Sequence, residues 1–107
     1  MEATRYIIVL ITSDSVEEAD HIAQILLNKK KAACVNIVRG IDSYFWWEGK
    51  LDSAGENLLI AKTKASLLPE IINLVKKAHS YDVPEVIALP IIEGNPDYLK
   101  WIERSVS

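Results

Sequence analysis

With a single cysteine, Cys34, the chain has no internal disulfide to staple it, so its fold has to rest on buried side chains. Chains of this length bury very roughly two-thirds of their unfolded surface. Half of the 107 residues are apolar, so one domain over residues 1–107 has the material for a core. Glycine and proline are scarce, at four each, and a quarter of the residues are charged, which is a globular composition and not a disordered one. Basic excess is also missing. A net charge of -3 and a pI near 5.3 provide no field to attract a phosphate backbone, which excludes nucleic acid as an expected partner. No apolar run approaches the roughly 20 residues that a spanning helix needs. The longest are strand-length pieces such as Tyr6 to Ile11, so no membrane span is expected. No charged n-region or cleavage site precedes the first apolar run, and with the unpaired cysteine this reads as a cytoplasmic protein. Ser-His-Asp and Cys-His patterns, glycine-rich phosphate loops and zinc spacings are absent as well, and the chain is expected not to be an enzyme.

What is present reads as alternating strands and helices. Tyr6 to Ile11 is a continuous apolar run of the kind found in strands covered on both faces. Ser15 and Glu18 have the spacing of a capping box, and Ala19, Ile22, Ala23, Leu26 and Leu27 follow as one helical stripe. Lys29, Lys30 and Lys31 close that helix as a solvated C-terminus, where the macrodipole favours cations. Ala32 to Val38 and Gly40 to Trp47 read as extended, Glu48-Gly49-Lys50 as a turn, and Asn57 to Thr63 as the returning strand. Ser53-Ala54-Gly55 before that strand suggests a bulge or looser loop. Ser66 is placed to cap a second helix, with Pro69 in its first turn and Leu68, Ile71, Ile72, Val75 and Ala78 on its buried side. Val86 to Ile92 is a fourth strand, and Asn95-Pro96 opens a short last helix.

The order βαββαβ plus a helix defines an α+β, ferredoxin-like fold: an antiparallel sheet with two helices on one face, an extended hairpin and a short C-terminal helix. A slide of 51 residues sets Ser15 on Ser66 and Val35 on Val86, so the two halves resemble one βαβ unit used twice. The second sheet face needs a cover, either the last helix or another copy of the chain.

Tyr44-Phe45-Trp46-Trp47 holds half of the chain's aromatic residues, and strand alternation sends Tyr44 and Trp46 to one side, Phe45 and Trp47 to the other. A projecting hairpin in a small domain does not bury both sides within one chain, which points to assembly through it. Cys34, inside an apolar run, is expected to be an inert core thiol, and His21, off the apolar stripe, an exposed residue.

Ser43-Tyr44-Phe45-Trp46-Trp47-Glu48-Gly49-Lys50, then Glu56, Lys62-Thr63, His79-Ser80-Tyr81-Asp82-Val83-Pro84-Glu85, Ala88-Leu89-Pro90 and Asp97-Tyr98-Leu99-Lys100-Trp101 resemble the CutA family of divalent-cation tolerance proteins. The likeness runs in order over nearly the whole chain. It implies a cytoplasmic homotrimer in which extended hairpins pair between subunits, with a role in tolerance to divalent ions such as copper and no catalysis. Phe45 stands where the family usually has tyrosine, and His79-Ser80-Tyr81-Asp82 replaces the usual His-Pro-Tyr-Glu. Copper ligands proposed for some members fall at Ile11, Ala78 and His79, of which only His79 is a ligating type. The resemblance leaves His79 alone; with Asp82 and Glu85 brought near it by three subunits, imidazole and carboxylates form the candidate metal set for Cu or Zn, with no obligatory cofactor. Trp46, Trp47, Glu56, Lys62 and Tyr81 are expected to converge in an intersubunit cleft near the strand ends. An alternative reading is a regulatory sensor resembling PII proteins, with a small molecule in that cleft.

Overall fold

Residues 5–107 are described by a computed structural model. The first apolar run becomes β1 (Tyr6–Ser13), whose Ile7, Val9 and Ile11 are buried on one face of the sheet. Ser15 Oγ then accepts the Glu18 amide hydrogen at 3.1 Å and starts α1 (Val16–Asn28). Only half of the capping box forms. The Glu18 carboxylate accepts from Ser13 Oγ at 2.7 Å and from the Ser80 amide at 2.6 Å, because those donors also need an acceptor. Ala19, Ile22, Ala23 and Leu26 are buried as expected, whereas Leu27, rotated off the stripe, is 37% exposed. Lys30 takes the left-handed backbone (φ 57°) that ends the helix. Lys29 and Lys30 are solvated, while Lys31 pairs with Glu70 at 2.7 Å and joins this helix to the next.

β2 (Cys34–Trp47) and β3 (Lys50–Lys64) form one long hairpin. Trp47 pairs with Lys50, so the turn is Glu48-Gly49 alone, with φ of 49° and 78°. Positive φ at both positions marks a type I′ turn, whose twist matches that of its strands. The bulge expected at Ser53-Ala54-Gly55 is instead on the other strand. The register slips between Val38 and Ile41, where Gly40 (φ 68°) supplies the left-handed residue, and 53–55 run straight within β3. Ser66 is not a cap either. It lies inside a 3-10 turn (Ala65–Leu67) that leads into α2 (Leu68–Ala78), and no side chain caps that junction. Pro69 sits in the first turn as expected. β4 (Val86–Pro90) stops before Ile92, and Asn95 Oδ1 caps α3 (Pro96–Ser105) by accepting from the Asp97 amide at 3.0 Å.

The sheet order is β2-β3-β1-β4, antiparallel throughout, which is the expected ferredoxin-like arrangement. One face packs on α1 and α2 through a single core that includes Val9, Ile11, Leu59, Ala61, Ile71 and Val75. α3 lies on the other face. Its Ile102 is fully buried, and Glu103 accepts from Tyr6 Oη at 3.2 Å, Lys64 Nζ at 2.9 Å and Arg5 Nε at 3.2 Å. The cover is partial. Val38, Ile87 and Leu89, on the same face beyond α3, remain about half exposed.

Candidate functional site

A cleft of about 790 Å³ opens where the hairpin leaves the body of the sheet. Strand alternation places its first wall: Ser43, Phe45 and Trp47 on β2 share a face with Asp52 and Glu56 on β3. The segment between α2 and β4 supplies the opposite wall through Ser80, Tyr81, Asp82, Val83 and Glu85, and Thr12 at the end of β1 lies between. Four of the lining side chains are carboxylic acids. None is lysine, arginine or histidine.

Two groups anchor the cleft. Glu56 is 8% exposed, and its Oε2 accepts a hydrogen bond from Tyr81 Oη at 3.0 Å. The Tyr81 phenol is pushed up to about 12, first by burial, then by the hydrogen bond and charge of Glu56 and by Asp14 and Glu18. It stays a hydrogen-bond donor across the physiological range. Behind it, the fully buried His79 ring meets the Thr12 carbonyl through Nε2 at 2.6 Å and the Tyr81 amide through Nδ1 at 3.0 Å. An amide hydrogen needs an acceptor, so Nδ1 is unprotonated and Nε2–H donates to Thr12. Both nitrogens of the ring are thus engaged.

Glu18 braces the same corner. Burial alone raises its carboxyl, but hydrogen bonds from Ser13 and Ser80 outweigh that and hold it below the ordinary glutamate value. A depressed folded-state pKa contributes stability that is present above the unfolded value and is lost as pH falls through the folded one. Glu18→Gln is accordingly expected to be less stable than wild type at pH 7, with the gap closing below about pH 4. Urea unfolding at the two pH values tests this, and a gap of constant size discards the role given to Glu18.

Among the residues expected from sequence, Trp47, Glu56 and Tyr81 meet at this cleft with Asp82 and Glu85. Trp46 and Lys62 do not line it. Trp46 is on the opposite face of the hairpin beside Leu51, its register partner. Lys62 is at the far end of β3, where Nζ bonds Asn36 Oδ1 and stands 4.0 Å from Cys34 Sγ. Cys34 is thus half-buried beside a cation, not sealed in the core, because its side chain points to the sheet face opposite that core. Tyr98 of α3 also reaches it, and burial followed by Cys34 raises the Tyr98 phenol. His21 is exposed as expected. Among the described residues no three His, Cys, Asp or Glu side chains converge as a metal cage within one chain. Ile11 belongs to the apolar core and Ala78 lies beside it. Asp52 carries no signal in the sequence and Glu18 only that of a helix cap, since the register and the fold alone bring them to this corner.

The sheet order, the projecting hairpin and the acidic cleft at its base define a ferredoxin-like α+β protein. The chain belongs to the CutA family, since residues 7–105 match the family described as CutA1 divalent ion tolerance protein. It is 50% identical over 99 residues to Protein CutA 1, chloroplastic, of Oryza sativa subsp. japonica, covering 92% of this chain and 56% of that protein. With Divalent-cation tolerance protein CutA of Archaeoglobus fulgidus it shares 47% over 98 residues, covering 92% and 95%. The chain thus spans little more than half the length of the plant relative and nearly all of the archaeal one. The crystal structure of CutA1 from Oryza sativa superposes with a TM-score of 0.94 at 48% identity, covering 97% of this chain and 95% of that one. That of the divalent cation tolerance protein from Thermus thermophilus gives 0.94 at 43% identity, covering 95% and 99%. Among the described residues no helix is long and apolar enough to cross a membrane.

Proposed function

We propose that the chain works as a homotrimer assembled through its hairpin and serves tolerance to divalent metal ions such as copper without catalysing a reaction. The observation that carries this reading is the hairpin itself: Tyr44, Trp46, Trp47 and Leu51 are each 60% or more exposed in a single chain. Large aromatic side chains left this open characterise the centres of interfaces. The uncovered Val38, Ile87 and Leu89 and the two free sheet edges, β2 and β4, support the same reading. Light scattering behind a sizing column is expected to return three times the chain mass of 12.0 kDa. A single-chain mass at micromolar protein rejects the assembly.

In this reading a divalent ion, Cu or Zn, is bound weakly by the Asp82 and Glu85 carboxylates of neighbouring subunits. His79 joins them only by giving up the Tyr81 amide. Calorimetric titration of demetallated protein with copper and zinc, for wild type and His79→Ala, is expected to show weaker binding in the variant. Identical curves remove His79 from the ligand set. A cytoplasmic setting belongs to the same proposal and is supported by the unpaired Cys34. The alternative, a PII-like sensor with a small molecule in an intersubunit cleft, is not favoured, since Trp46 and Lys62 of the set expected there do not line the cleft.

A further inference from the structure

Where β3 ends, at the opposite end of that strand from the hairpin turn, Arg5, Lys64, Ser66 and Glu103 line a recess of about 240 Å³. Two cations face one acid there, although the chain as a whole carries a net charge of -3. The fold builds this excess. The Ala65 amide donates to the Arg5 carbonyl at 2.9 Å and holds the turn containing Ser66 against the start of β1. Glu103 reaches across from α3 and receives Lys64 Nζ at 2.9 Å and Arg5 Nε at 3.2 Å. The hydrogen bond from Lys64, helped by that from Arg5, outweighs burial and holds the Glu103 carboxyl below the ordinary glutamate value.

Ser66 is the neutral member of this group. It is exposed, and its hydroxyl caps neither the 3-10 turn nor α2. Lys62 and Lys64 precede it on the chain and Leu67 follows it. Basic residues just ahead of a serine form the kind of charge pattern by which kinases select their substrates.

We propose that Ser66 is a phosphorylation site whose phosphate takes Arg5 and Lys64 from Glu103 and so loosens α3. In the transfer, Ser66 Oγ bonds to the γ-phosphorus of ATP and the bond from that phosphorus to the bridging oxygen breaks. ADP leaves, and the hydroxyl proton passes to the catalytic aspartate of the kinase. The product brings a charge of about −1.5 to −2 at pH 7, more than the single charge of Glu103. Arg5 meets Glu103 through Nε, which leaves its terminal nitrogens to form a fork on a phosphate. Competition therefore favours the phosphate, and repulsion adds to it, since two anions then share one recess. α3 keeps Ile102 buried but loses the ion pairs beside it, on the helix that partly covers the second face of the sheet. None of these groups belongs to the hairpin, so the site is independent of the trimer and of metal tolerance.

Treatment of the full chain with the catalytic subunit of cAMP-dependent protein kinase and magnesium ATP tests the proposal. The expected result is a phosphate located at Ser66 by tandem mass spectrometry and absent from that position in Ser66→Ala. Ser66 is exposed, so the variant retains its fold. Hydrogen exchange of the α3 amides is expected to run about fivefold faster in the phosphorylated chain, with the amides of β1 and β3 unchanged. Glu103→Gln removes the competing charge, so it is expected to show faster α3 exchange without phosphate and little further change with it. No phosphate at Ser66, unchanged α3 exchange after modification, or an equal acceleration by phosphate in Glu103→Gln overturns the proposal.

Discussion

In the proposed trimer, replacing Trp46 and Trp47 together with serine is expected to release single folded chains. In one chain these side chains are 74% and 60% exposed, so neither supports the core, and their removal is expected to cost the isolated fold no more than about 0.5 kcal/mol. Between copies the balance is different. A buried tryptophan at an interface centre is worth about 2 kcal/mol or more, so two of them weaken each contact on the order of a thousandfold. Light scattering should therefore report the single-chain mass at micromolar protein while far-UV circular dichroism retains the sheet signal. A double variant that keeps three copies assigns the assembly to the strand edges and α3.

His79→Ala is the second large effect, and it acts within the chain. The ring has no exposed surface, and it joins the end of β1 to the segment carrying Tyr81, Asp82 and Glu85. Truncation leaves the Thr12 carbonyl and the Tyr81 amide without partners and opens a void, a combined cost of about 3 kcal/mol. His79→Gln, which offers one donor and one acceptor on a flexible stem, should recover part of that loss. Urea unfolding of the three proteins at one fixed concentration measures the difference, since oligomer stability varies with protein concentration. Equal midpoints for wild type and His79→Ala contradict the bridging role.

Most of the fold is legible in the sequence because its signals are local. The unbroken run at Tyr6, the Ser15 cap, Pro69 and Asn95-Pro96 each act within a few residues, and each element forms where these signals stand. The features that differ depend on partners far along the chain. Gly40 and Gly55 are equally permissive in sequence, and only the pairing of β2 with β3 decides which one becomes left-handed. Ser66 has the chemistry of a cap, but the chain tightens into a 3-10 turn there and leaves it no amide to receive. Glu18 has the spacing to answer Ser15, yet two donors from other segments hold its carboxylate instead.

The candidate site is half legible for the same reason. Trp47, Glu56 and Tyr81 do share one space with Asp82 and Glu85. Lys62 shares the face of Glu56 but stands six residues further along β3, about 20 Å at strand spacing. Its charge therefore serves the Cys34 corner and not the cleft. That displacement leaves a cleft that was expected to include a lysine with acids as its only charged lining.

The Glu48-Gly49 turn also sets the order in which the molecule comes together. Pairing of β2 with β3 closes outward from adjacent residues, and even its most distant pair, Cys34 with Lys62, is separated by only 28 positions. Such a ribbon zips in microseconds, whereas the central β1–β3 and β1–β4 ladders must first close much longer loops. The surface proposed to meet other copies is thus the portion of the chain with the shortest route to its final shape, formed before the longer loops of the central sheet close.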